Sequence, residues 1–184
     1  IWEDKPVEKL KVAGMAARRS DTPRISKKMQ KDFLNIILKG GTKKQAINYI
    51  KSVIDDIISG DTNNVDIALP SKLNADISEY KVANSPKIRG VKYSNQFLET
   101  KFKAGSKFLL IYVKNNQHTN VVCFNYEEQL KGLNIDKYTM INKAVFQKIK
   151  VLFESLGWRV DYDQLVKSID NKIKGQTNLL EKWI

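Results

Sequence analysis

A dense cluster of basic side chains lies between Ala17 and Lys31, where six cations accompany the single acid Asp21. The cluster spans a predicted helix start, because Thr22 can cap a helix whose first residue is Pro23. The amide groups at a helix start carry a partial positive charge, so together with these cations they favour binding of an external anion, and a phosphate backbone fits best. A solvated basic helix face is the alternative. The six basic residues are Arg18, Arg19, Arg24, Lys27, Lys28 and Lys31.

The overall charge supports a polyanionic partner. The chain has 184 residues, of which 32 are basic and 20 acidic, and its formal net charge is +12. Such a balance indicates nucleic acid or another anionic surface. A second basic segment at 81–107 contains seven cations and one acid, and residues 55–79 between the two basic segments contain six acids and one cation. If the two basic segments meet in space, they form a positive groove with a negative surface behind it.

Other kinds of chemistry have little support in the sequence. The only cysteine, Cys123, lies in an apolar run and is predicted to be a buried strand residue; the only histidine, His118, lies in a polar turn. These two residues are too few for an ordinary zinc site or a histidine-based triad. The neighbours Asp55 and Asp56 point about 100° apart on a helix and make a poor metal clamp. We therefore expect no metal site and no catalytic residue, although a nuclease using Asp66 and Asp76 is an alternative.

The apolar pattern predicts an α+β fold that is mainly helical. Helices are expected at 23–39 and 43–59, the second capped by Thr42 and ended by Gly60, and the short loop makes them antiparallel neighbours. Two more helices are expected near the C-terminus, and short strands form a small antiparallel β-subdomain. Residues 71–105 are expected to be polar and irregular, and no apolar stretch reaches the about 20 residues of a membrane span. The C-terminal helices are predicted at 138–156 and 162–174, and the strands at 65–69 (ended by Pro70), 108–113 and 120–124.

Two short motifs stand out in the sequence. The first is the run Lys9-Leu10-Lys11-Val12-Ala13-Gly14-Met15, followed by Arg19-Ser20-Asp21-Thr22-Pro23. The second is the run Ser85-Pro86-Lys87-Ile88-Arg89-Gly90-Val91, followed by Tyr93-Ser94-Asn95. The first resembles the junction between palm and thumb in family B DNA polymerases, particularly those of T-even-like bacteriophages, and the second resembles a segment of their thumb. The resemblance implies a thumb-like domain that holds the primer–template duplex DNA through its phosphates and does not recognise base sequence.

The resemblance also implies a set of DNA-binding residues. Positions that match the junction motif are Arg19, Ser20 and Thr22, and positions that match the thumb motif are Lys87, Arg89, Tyr93 and Asn95. Charge and position add Arg18, Arg24, Lys27 and Lys28. We expect the stretches around Arg19 and Arg89 to converge into one cationic cradle. The alternatives are that these arginines pair with carboxylates such as Asp21 and that Tyr93 only packs.

Catalysis is expected to lie outside the chain. Family B polymerases hold two metal ions with palm carboxylates, in motifs of the Asp-x-x-Ser-Leu-Tyr and Tyr-Gly-Asp-Thr-Asp type, which do not occur here. By this resemblance Mg²⁺ belongs to the palm of the complete enzyme, and the palm and exonuclease part, in the same or a separate chain, is the expected partner. The protein is then a viral one that acts in the cytoplasm of an infected bacterial host. The alternative is a stand-alone, sequence-nonspecific nucleic-acid-binding accessory protein.

The ends of the chain carry expectations of their own. Alternating residues in the first dozen positions predict a short hairpin. Because no initiator methionine precedes them, we expect that the chain is trimmed or that upstream sequence, missing or supplied by another polypeptide, completes this sheet. By the resemblance, residues 1–19 are the end of a palm-type β-hairpin and the junction. Residues 20–175 are the expected thumb-like DNA-binding domain, and 176–184 are a tail. By resemblance the tail docks on a sliding clamp through an apolar set; the alternative is that it folds back onto the domain. The apolar set is Leu179, Leu180, Trp183 and Ile184.

Overall fold

The first two helices form an antiparallel pair. The computed structural model describes residues 19–82, 84–158 and 171, and within them helix α1 spans Arg24–Leu38 and helix α2 spans Lys43–Ser59. The Thr42 hydroxyl accepts a hydrogen bond from the Gln45 amide at 3.2 Å, and the Gln45 side chain accepts one from the Thr42 amide at 2.7 Å. Gly60 ends α2 in the left-handed region at φ 95°. Both predicted helices are confirmed, and α2 has the predicted bounds.

The start of α1 differs from the prediction. Pro23 occupies the capping position, and its carbonyl accepts a hydrogen bond from the Lys27 amide at 3.2 Å. Thr22 does not cap the helix: its side chain is buried, and its hydroxyl has no hydrogen-bond partner among the described residues. The predicted Thr22 cap is therefore wrong, because the preceding turn, in which the Thr22 amide bonds to the Arg19 carbonyl, rotates Thr22 into the interior.

A small antiparallel sheet lies beside the helices. Within the described residues it has four strands, β1 (Leu69–Lys72), β2 (Lys107–Lys114), β3 (Val121–Phe124) and β4 (Asn134–Ile135). Strand β2 is central: it pairs with β1 and β3, and its last residues pair with β4. The predicted strands at 108–113 and 120–124 are confirmed. The described part of the chain is thus α+β and about half helical.

The predicted strand at 65–69 is wrong. Residues Asn64–Ile67 form one turn of helix, α3, and the strand begins at Leu69 and includes Pro70. The alternation of apolar residues indicated a strand, but it also suits a single helical turn whose one fully buried residue is Ile67. Proline is tolerated in β1 because this strand pairs on one side only.

The segment expected to be irregular contains a twelve-residue helix, α4, at Pro86–Phe97. The Ser85 hydroxyl accepts a hydrogen bond from the Ile88 amide at 3.4 Å, and Pro86 takes the first helical position. The helix crosses β3 closely, since a β-carbon at Gly90 would lie 2.8 Å from the Cys123 sulfur. The prediction of an irregular segment is wrong here because Ser85-Pro86, a pair that also occurs in loops, starts a helix with the serine as cap and the proline at the first position.

The long C-terminal helix is confirmed but is not regular. It consists of α5 (Lys137–Ile141), a π-helical segment (Asn142–Phe146) and α6 (Gln147–Ser155). Two side chains of α1 donate hydrogen bonds to its backbone: the Ser26 hydroxyl to the Ala144 carbonyl and the Gln30 amide to the Lys148 carbonyl. These bonds fix α1 against the π-helical segment and the start of α6. Two short 3₁₀ turns, Ile77–Glu79 and Glu127–Leu130, complete the described elements.

The sheet is buried on both faces. One face of β2 and β3 packs into the main core with α1, α2 and the C-terminal helix, through Ile111, Val113, Val122 and Phe124. The other face packs against α4 through Phe108, Leu110, Val121 and Cys123. Cys123 is fully buried as predicted, and burial raises the pKa of its thiol, so it stays protonated near neutral pH. Burial on both faces explains the unbroken apolar run in β3.

Several predictions lie outside the described residues. They concern the N-terminal hairpin, the helix at 162–174 apart from Asn171, which is helical, and the C-terminal tail. Among the helices that the structure describes, none combines the length and the apolar character needed to cross a membrane.

Replacing Ser26 by alanine is expected to lower the free energy of unfolding by about 1–2 kcal/mol, because it removes a buried hydrogen bond between two packed helices. Urea denaturation measures the change. The matched control is Ser52→Ala, where the exposed hydroxyl bonds only within its own helix, to the Tyr49 carbonyl; here a change below about 0.5 kcal/mol is expected. Equal changes in the two variants would show that Ser26 does not tie the helices together.

Candidate nucleic-acid interface

An open groove lies where β1 ends and β2 begins. Its volume is about 800 Å³, and residues from the turn before α1, from α1, α4, β1 and β2 line it. Cations reach it from four of these places, and serine and asparagine side chains, which also bond to phosphates, lie between them. Its polar lining residues are Ser20, Asp21, Arg24, Ser71, Lys72, Asn74, Lys87, Lys107 and Asn125.

Two lysines lie opposite each other on neighbouring strands at this groove. Lys72, the last residue of β1, is the direct cross-strand partner of Lys107, the first residue of β2. Both are exposed, and neither forms an ion pair with another described residue. Like charges directly opposite each other destabilise an antiparallel pair. A bound anion would remove that repulsion, which makes this end of the sheet suited to phosphate.

Helix α4 adds a third lysine in a fixed position. The Lys87 ammonium donates a hydrogen bond to the Lys72 carbonyl at 3.2 Å and lies 5.3 Å from the centre of the Tyr80 ring. These two contacts hold the Lys87 charge next to the end of β1. The side chain is only half-buried, so the ammonium group also faces the groove.

Arg24 completes the set of cations from the helical side. It is the first residue of α1, is exposed, and approaches the Asp66 carboxylate at 3.7 Å, a long surface contact that contributes little stability. Arg24 belongs to the first basic segment of the sequence, whereas Lys87 and Lys107 belong to the second. The two segments therefore meet in this groove at these residues.

Arg19 is occupied by a neighbouring carboxylate. Its guanidinium donates two hydrogen bonds to Asp21, at 3.0 and 2.8 Å, and both side chains are exposed. The hydrogen bond from Arg19 lowers the pKa of Asp21, so the charged form of this carboxylate is favoured. This contact corresponds to the alternative prediction for Arg19, in which the arginine pairs with a carboxylate such as Asp21. Ser20 and Asp21 line the groove, and Arg19 lies beside it.

Three other predicted residues of the first basic segment, Thr22, Lys27 and Lys28, do not line the groove. Thr22 is buried and is not among the groove residues, so its assignment as a DNA-binding residue gains no support. Lys27 is half-buried and is not among the groove residues. Lys28 lines a neighbouring pocket of about 540 Å³ together with Arg24 and three carboxylates, which makes that pocket a poorer phosphate site. The carboxylates are Asp56, Asp61 and Asp66.

The thumb-motif residues after Lys87 point away from the groove. Arg89 donates to the Asn120 side chain at 2.7 Å, and the Tyr93 hydroxyl accepts from the Asn116 side chain at 2.9 Å. Both partners lie in the loop between β2 and β3. The Asn95 side chain bonds to the Phe102 backbone at 2.9 Å through both its amide and its carbonyl, so it holds the chain after α4 in place.

The expected cradle of Arg19 and Arg89 does not form. The Asn120 carbonyl pairs with the Val113 amide, six residues along β2 from Lys107. At about 3.3 Å per residue the partner of Arg89 lies about 20 Å from Lys107. The two basic segments do converge, but through Arg24, Lys87 and Lys107.

Sequence reasoning missed two of the four groove cations, Lys72 and Lys107. Lys107 is the last cation of the second basic segment, and Lys72 is the one cation of the acidic segment. The available signal was a lysine at a strand end, which is common on any surface. Arg18 and the clamp-binding set Leu179, Leu180, Trp183 and Ile184 lie outside the described residues.

Neither metal sites nor known relatives add to this description. Among residues 19–82, 84–158 and 171, no three histidine, cysteine, aspartate or glutamate side chains are grouped so that they could hold a metal ion. No protein-family model matches the chain, and no curated protein sequence matches it either. The groove and the two sequence motifs are therefore the features that bear on function.

Proposed function

We propose that the chain grips duplex DNA through its phosphate backbone, as the thumb-like part of a family B DNA polymerase whose catalytic palm residues lie outside it. The observation that carries the proposal is the convergence of Arg24, Lys72, Lys87 and Lys107 on one groove. These four cations come from one helix start, two strand ends and a second helix, and no local sequence feature requires them to meet.

The chemistry of the groove suits the backbone of a duplex better than its bases. Lysine binds phosphate as a point charge, whereas base recognition uses planar, bidentate groups such as arginine, asparagine and glutamine placed in a DNA groove. Three of the four cations are lysines, and Arg24 is already drawn toward Asp66. Binding is therefore expected to depend on charge and to be independent of sequence.

The polymerase assignment is supported by the two sequence motifs and by the fold class. Lys87 is the thumb-motif residue that reaches the groove, and Ser20 is the junction-motif residue that lines it. A helix pair packed on a small sheet gives a rigid body for holding a duplex. Mg²⁺ and the palm carboxylates are then supplied by the rest of the enzyme, in the same or a separate chain.

Salt dependence tests the proposal. With about four phosphates neutralised, the logarithm of the association constant for a 20-base-pair duplex should fall with the logarithm of salt concentration at a slope of about −3.5. Fluorescence anisotropy with several duplexes of unrelated sequence measures it, and the slopes and affinities should agree between sequences. A slope near zero, or a strong preference for one sequence, would contradict the proposal.

A second measurement separates the thumb from a stand-alone DNA-binding protein. Primer extension by a family B palm and exonuclease fragment of the kind named in the resemblance is expected to rise when the chain is added. Duplex binding with unchanged extension would favour an accessory protein over a thumb.

A further inference from the structure

A small aromatic patch lies at the far end of the sheet from the groove. The Phe97 ring, at the end of α4, stacks on the His118 ring with centroids 4.8 Å apart and an interplanar angle of 23°. Tyr93, one turn earlier on α4, contacts Phe97 at 4.9 Å and His118 at 6.4 Å. The three rings, named here the aromatic patch, join α4 to the loop between β2 and β3.

Two of the three side chains of the aromatic patch are exposed to solvent. Phe97 is 44% exposed, and His118 is exposed at the tip of the loop. The loop is already held by polar contacts, since Asn116 bonds to Tyr93 and also accepts from the His118 amide at 2.9 Å. Phe97 and His118 each cover part of the other's ring, and the remainder of both side chains is open to solvent, although an exposed phenylalanine ring costs free energy.

The surroundings of the patch are cationic. Arg89 and Lys92 lie on α4 before the patch and Lys114 lies just before the loop, while the nearest acid along the chain is Glu99, two residues after Phe97. Arg89 reaches the loop directly through Asn120. The Lys114 ammonium lies 3.6 Å from the Asp136 carboxylate. Exposed rings among cations are the combination that binds unpaired bases and their phosphates.

We propose that the aromatic patch binds the unpaired bases of single-stranded nucleic acid by stacking. Bases in a duplex are stacked on each other and offer no free face, so the patch selects unpaired strands, whereas the groove binds duplex phosphates. The two surfaces lie at opposite ends of β2, about 20 Å apart along six residues of strand. This inference rests on the proposed nucleic-acid-binding function and assigns a second surface to it.

The test compares strands that differ only in their bases. Anisotropy is measured for the 184-residue chain with a 20-nucleotide oligothymidine, an abasic 20-mer of equal charge and a 20-base-pair duplex. The unmodified protein should bind oligothymidine about 5- to 150-fold more tightly than the abasic strand, the range that aromatic stacking supports. Oligouridine against an abasic RNA strand forms a parallel series, and the series with the tighter binding identifies the natural strand.

The variant Phe97→Leu removes the ring and keeps an apolar side chain, and His118→Ala removes its stacking partner. Each should abolish the preference for strands that carry bases and change duplex affinity less than twofold. The matched control is Tyr126→Leu, which removes an exposed ring outside the patch and should change nothing. Circular dichroism checks that each variant is folded.

The outcomes separate the two proposals. Equal binding of base-bearing and abasic strands by the unmodified protein, or an unchanged preference in both ring variants, would overturn the inference while normal duplex binding left the proposed function intact. A ring-dependent preference without duplex binding would support the patch and refute the duplex grip.

Discussion

Replacing Arg24, Lys72 and Lys107 together by glutamine is expected to weaken duplex binding about 100-fold at 0.1 M salt and to reduce the magnitude of the salt slope by about three. Each substitution removes one cation from the groove and so prevents the release of one condensed counterion. Lys87 is retained in this variant because its ammonium also bonds to the Lys72 carbonyl, and its loss would alter the sheet. Anisotropy titrations at several salt concentrations measure both quantities.

The control for this variant must lose the same charge elsewhere. Lys39, Lys44 and Lys51 are exposed residues of the helix pair, none of which lines the groove. Their joint replacement by glutamine should change duplex affinity by less than about fivefold, because only the general field of the molecule is reduced. If the two triple variants lose affinity equally, net charge alone drives binding and the groove is not the interface.

Replacing Phe33 by alanine is expected to lower the free energy of unfolding by about 3–5 kcal/mol. Phe33 is fully buried on α1, and its ring meets those of Phe153 and Trp158 edge-on, at 5.5 and 6.0 Å between centroids. The substitution therefore leaves a cavity between α1 and α6 and removes two aromatic contacts. Urea or thermal denaturation measures the loss.

A phenylalanine at a different depth serves as the control for Phe33. Phe97→Ala makes the same chemical change at a half-exposed site and should cost less than about 1.5 kcal/mol. Arg24 is still present on α1 in the Phe33 variant. The variant should therefore bind duplex DNA normally under conditions in which it remains folded. A cost below about 1.5 kcal/mol at Phe33 would mean that the α1–α6 contact is not central to the core.

The elements with strong local signals were predictable. Helix α2 combines a capping threonine, a wide apolar stripe and a final glycine, and all three signals agree on its bounds. Helix α4 has few such signals, since its buried side includes Gly90 and Ser94 beside Ile88 and Val91. Its burial is created by the sheet beneath it, which sequence periodicity cannot reveal.

The candidate site was predictable in charge but not in its residues. Two basic segments were expected to meet, and they do so at Arg24, Lys87 and Lys107. The pairing of Lys72 with Lys107 depends on strand register, which follows from the packing of both sheet faces. Arg89 differs from Lys87 by two helical positions, and that rotation of about 200° turns it toward the hairpin loop.

The composition of β1 has a consequence for how the protein behaves at high concentration. This outer strand is four residues long, lacks an amide hydrogen at Pro70 and ends in an exposed lysine. Each of these features hinders a further strand, from another copy or a misfolded neighbour, from adding to the sheet margin. The outer edge of β1 is thereby protected from edge-to-edge aggregation. The same edge leaves the adjoining groove accessible to the proposed duplex.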